Sequence, residues 1–139
     1  MYELQEIKIR GKVYPAVFNV AALKEVGARY GGIKELGEKL REDYGKAIEG
    51  FSWIIALLIK HGIALKNFEE GTNDQALTQE QVELLMSPGE MFKQQGAIVE
   101  IINAGMNMGT GTESIEDEEV DEVLEEVLKT KNGEGAEGK

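Results

Sequence analysis

Cysteine is absent from this 139-residue chain, which excludes disulfides, thiolate metal sites and a cysteine nucleophile. A small secreted domain more often carries disulfides, so the absence favours a reducing compartment. Long apolar runs are also missing. The longest, Phe51 to Ile59, is interrupted by Ser52 and falls far short of the roughly 20 residues of a membrane helix, so it reads as a buried helix. The start, Met1 to Glu6, lacks the basic and apolar regions of a signal peptide. Together these features lead to the expectation of a cytoplasmic protein without a membrane span. Basic charge is scarce: 15 Lys and Arg stand against 26 Asp and Glu, for a net −11. Direct binding to nucleic acid needs clustered bases and is disfavoured.

What is present is ordinary for a globular domain, with 42% hydrophobic and 29% charged residues. The acid is concentrated at one end. Residues 113–139 hold 11 acids and 3 lysines, a charge of −8, while the rest of the chain carries only −3. Composition shifts at Gly109-Thr110-Gly111-Thr112, which divides a body (1–111) from an acidic segment (112–139).

Periodicity organises the body. Ile7 and Ile9 alternate with polar neighbours, Arg10-Gly11-Lys12 supplies a turn, and Val13 to Phe18 returns as a strand, so residues 3–18 are expected to form a β-hairpin. Pro15 cannot donate to a ladder and places that strand at an edge. Asn19 is the expected cap of a helix with Val20, Leu23 and Val26 on its stripe, stopped by Gly31-Gly32. Ile33, Leu36, Leu40 and Tyr44 mark a second amphipathic helix. Lys46 to Lys60 is apolar nearly all round and is expected to be the central helix, ended by His61-Gly62, with a polar connection over 66–77. Thr78 with Gln81 and Ser87 with Glu90 are capping boxes, the second with Pro88 at the first helical position, so helices are expected from 78 to 86 and from 88 to about 107. Ser114 to Lys129 reads as an acidic C-terminal helix and Thr130 to Lys139 as a disordered tail. The fold class is thus mainly α, a short hairpin followed by a bundle of about four to five helices.

Chemical motifs are sparse. His61 is the only histidine, and no adjacent serine or acid makes a triad around it, so a helix-end structural or solvent role is expected. The stretch Gly105 to Gly111 lacks the Gly-Lys-Ser/Thr ending of a phosphate loop and follows a helix, so it reads as a terminator and linker. The acids from Glu113 to Glu126 lack the central glycine of a calcium loop. They read as a solvated helix face or as a docking helix whose anchors are Val120, Leu124, Val127 and Leu128. Phe51 and Trp53 are expected in the core, and the methionines at 86, 91, 106 and 108 are expected to fill gaps. No catalytic, cofactor or metal site emerges, and the chain is expected to bind rather than catalyse.

The run from Ile7 to Val26, with its hairpin ending in Tyr14-Pro15 and an apolar strand leading into a helix, resembles the opening of tail assembly chaperones of long-tailed bacteriophages and prophages. The break at Tyr30-Gly31-Gly32-Ile33, the apolar helix near Trp53 and the acidic end are similar to that layout. The resemblance covers roughly residues 5–62 and carries no catalytic residues. It implies binding to the tape measure protein, the long helical ruler of the tail, kept soluble in the cytoplasm of an infected or lysogenic host until tail-tube subunits polymerise around it. The tail-tube protein is a further candidate partner, and a homo-oligomer is left open. The rival reading is an acidic phage-encoded inhibitor that mimics DNA, although a mimic spreads its carboxylates over a folded surface.

Overall fold

The computed structural model describes residues 4–107. The expected acidic helix, its anchors Val120, Leu124, Val127 and Leu128, the tail and the boundary near residue 111 lie outside them. Within them the chain is mainly helical behind an N-terminal hairpin, in the order β1 (Gln5–Ile9), β2 (Lys12–Ala16), α1 (Val20–Tyr30), α2 (Ile33–Leu40), α3 (Tyr44–Glu70), α4 (Gln79–Leu85), α5 (Pro88–Lys93) and α6 (Gln95–Asn107).

The strands pair antiparallel, with Ile7 opposite Tyr14 and Ile9 opposite Lys12. Both central turn residues take positive φ, Arg10 at 51° and Gly11 at 81°, which is the two-residue turn whose twist suits a hairpin. Period-2 alternation sorts the faces: Ile7, Ile9, Tyr14 and Ala16 are buried, whereas Lys8 and Val13 face solvent.

The Asn19 side chain accepts from the Ala22 N–H at 3.0 Å, and α1 ends at Gly31 in the left-handed conformation. Its buried face differs from the expected stripe. The small Ala22 and Val26 pack inside, while Val20 is 82% exposed and Leu23 is 37% exposed. The second helix closes at Leu40, and Tyr44 opens α3 instead of ending α2.

The central helix is longer than expected. It runs on through His61 and Gly62 to Glu70, so 66–70 is helix and the connection begins at Gly71. Gly62 is not a stop. A Cβ there would collide with the Pro15 carbonyl and lie 2.5 Å from the Ala16 backbone. Glycine is needed where the exit of β2 crosses the helix, and the Val17 N–H donates to the Leu58 carbonyl at 3.1 Å in the same place. By length and composition α3 also qualifies as a bilayer span, a property the Phe51–Ile59 run alone does not reveal, but 67% of its most apolar stretch is buried in the fold.

Both capping boxes form as expected, each with reciprocal side-chain and backbone bonds. The expected helix from 88 to 107 is divided at Gln94 into α5 and α6. Met86 and Met91 join the core, Met106 packs against it, and Phe51 is fully buried. Gly105 lies within α6 and does not terminate it. A Cβ there would strike the Phe18 carbonyl, so the end of α6 is seated on the root of the hairpin.

Candidate functional site

Residues 71–78 form no regular element. They run back along α3 from its C-terminus to the level of Ser52. Their start is tied down by Asn67, which accepts from the Thr72 hydroxyl at 2.7 Å and the Asp74 N–H at 3.0 Å. Lys66 reaches Asp74 at 2.6 Å, and that hydrogen bond holds the ammonium above its usual range. Their far end is held by Ser52, which is fully buried. Its hydroxyl donates to the Glu83 carboxylate at 2.6 Å and accepts from the Gln79 amide at 3.1 Å. Ala76 and Leu77 pack against the core between these two ties.

The result is a groove of about 350 Å³, open on one side, between α1, α3 and residues 76–79. Trp53, Ala56 and Leu57 line it from α3, Leu77 from the connection, and Glu25 and Lys60 add charge. The Trp53 ring meets Tyr30 edge-to-face at 5.2 Å, and the Arg29 guanidinium sits 5.4 Å from both ring centroids. Glu49 accepts from Arg29 at 3.0 Å, which holds the cation over the rings. A floor of aromatic and aliphatic carbon with a few placed polar groups suits an apolar side chain or helix face.

Beside the groove, His61 Nε2 lies 2.8 Å from Glu25 Oε2, and Lys60 Nζ lies 3.0 Å from the same oxygen. Burial pushes the Glu25 carboxyl up, but hydrogen bonds and charge from Lys60 and His61 together outweigh it and hold the group below its usual range. His61 is thus a buried, partnered residue inside α3, not a helix-end residue. Its partner comes from 36 residues away, which no local spacing reveals. The fold does not bring Ser52 to His61, because nine residues along one helix separate them by about 13 Å. Among the described residues, no group of three or more His, Asp or Glu is placed to hold a metal ion.

Trp53 packs against the core as expected, but it is only partly buried and also lines the groove. An all-round apolar helix gives periodicity nothing to separate, so the sequence does not show which side of α3 is left open. No family model matches the chain, and neither the curated proteins nor the solved structures contain a match.

Proposed function

We propose that this protein is a client-binding protein of the tail assembly chaperone kind, which binds the tape measure protein and keeps it soluble in the bacterial cytoplasm while the tail is built. The observation that carries this reading is the open groove floored by Trp53 and Leu57, whose size and apolar lining suit side chains from an amphipathic helix. The order of hairpin, helix, glycine break and apolar helix agrees with the layout that the resemblance implies. A ruler that exposes long apolar faces before assembly needs such a surface, together with charge that keeps the complex in solution. The −8 of residues 113–139 is suited to that second task. In this reading the protein acts by binding, not by catalysis.

The test is co-expression with a long helical ruler protein, followed by pull-down at low salt. Wild type is expected to recover the client in soluble form. Leu77→Lys, at the partly exposed edge of the groove, is expected to lose it while melting like wild type. A folded Leu77→Lys variant that retains the client would remove the groove from the mechanism, and failure of wild type to recover any client would remove the chaperone reading.

A further inference from the structure

In a chain of net charge −11, the distal end of the hairpin is basic. Lys8, Arg10 and Lys12 fall within five residues, and all three are exposed. None of them makes an ion pair among the described residues, whereas Arg29, Lys39, Lys60 and Lys66 all do. Lys12 only stacks over the Tyr14 ring, 5.2 Å from its centroid. Val13 stands 47% exposed opposite Lys8, and Glu6 is the one acid on that outer face. Lys8 and Val13 share the outer face, Arg10 sits in the turn, and Lys12 lies at the end of the other face beside Ile9, so the basic charge surrounds the tip of the hairpin and leaves room for a partner that is both acidic and apolar.

The chain carries such a partner. Residues 113–126 hold nine acids interleaved with Ile115, Val120, Val123 and Leu124. Gly105, by its close approach to the Phe18 carbonyl, seats the end of α6 at the root of the hairpin, and the chain leaves the described residues from there. From Phe18 to Lys12 is at most about 20 Å of chain, and the nine residues that follow Asn107, as far as Glu116, span up to about 30 Å. The acid run is therefore long enough to reach the basic end. A connection this short gives an effective concentration of the order of millimolar, enough to populate even a weak electrostatic contact.

We propose that residues 113–126 dock on the distal hairpin of their own chain, their carboxylates on Lys8, Arg10 and Lys12 and their apolar residues against Val13. The contact gathers opposite charge at the tip of the hairpin, where the bases make no ion pair among the described residues, and it stands or falls independently of the client.

The test places a nitroxide at Ser114→Cys, the sole thiol in the chain, and records amide spectra of the full-length protein. Broadening is expected at residues 8–13, independent of protein concentration. It should vanish in Lys8→Glu/Lys12→Glu, and also near 1 M salt, where the screening length falls to about 3 Å. Absence of broadening at the hairpin, or broadening that survives both charge reversal and salt, would overturn the proposal. So would broadening that arises only when spin-labelled chains are mixed with isotope-labelled ones, because the occupant would then be a second copy. The salt series on the unaltered hairpin decides the matter even if the charge-reversed chain fails to fold.

Discussion

Glu25 on α1 and His61 on α3 share a hydrogen bond of 2.8 Å, and Lys60 brings an ammonium to the same carboxylate oxygen. The arrangement ties α1 to the middle of the central helix, and it is sensitive to acid. The Glu25 carboxyl is held below its ordinary range in the fold, so its contribution is fully present above the unfolded-state value and is lost as pH falls through the folded one. With the Glu25 side chain 38% exposed, the charge contribution is screened and stays below about 1 kcal/mol. Glu25→Gln is expected to lower the urea midpoint at neutral pH, and the gap to wild type should close on acidification. A gap that stays constant down to about pH 3 would show that the charge plays no part.

Gly62→Ala is expected to destabilise the fold. On helix propensity alone the change gains about 1 kcal/mol. The added methyl, however, meets the Pro15 carbonyl and the Ala16 backbone, which are not flexible side-chain ends that can swing aside. Overpacking of that kind costs about 1–3 kcal/mol or more, so the net effect is a loss. Thermal melting of Gly62→Ala beside Gly45→Ala, where a Cβ meets nothing within 4 Å, separates the two effects. Equal stabilisation at both sites would refute the crossing.

Arg10→Asn is expected to stabilise the hairpin. Arg10 sits at φ 51°, a left-handed conformation that costs an ordinary residue about 1–2 kcal/mol and asparagine less. Asn-Gly is the favoured pair for this turn. A gain of about 0.5 kcal/mol in urea unfolding near 1 M salt, where the proposed contact of Arg10 with the acid run is screened, is the expected size. A loss of stability would mean that the arginine makes a contact worth more than the strain.

Ser52→Ala is expected to cost about 1–2 kcal/mol, because it leaves the Glu83 carboxylate and the Gln79 amide without their buried partner. The loss should also loosen residues 76–79, so amide exchange there should quicken more than in the hairpin. Uniform quickening across the chain would argue that Ser52 has no local role in holding the groove edge.

Much of the fold was legible where a rule acts over a few residues. The hairpin, the Asn19 cap and both capping boxes sit where sequence places them, because each depends on neighbours within about four positions. The errors arise where distant segments meet. His61-Gly62 reads as a helix end, yet the residues across from them, Glu25, Pro15 and Ala16, turn a stop signal into a packing site. Val20 and Leu23 match helical spacing, but α1 buries Ala22 and Val26, a choice made by tertiary packing that spacing does not show. The groove was not legible, since it requires the connection to fold back on Trp53, and that path is set by Ser52 and Glu83, 31 residues apart.

The length of α3 has a consequence beyond packing. It is a helix of 27 residues whose composition also suits hydrocarbon, and it is kept from that environment only by the hairpin and the shorter helices laid against it. Unfolding of its cover and exposure of a long apolar helix are therefore one event. Damage that strips the hairpin is expected to expose apolar surface of the kind that drives aggregation.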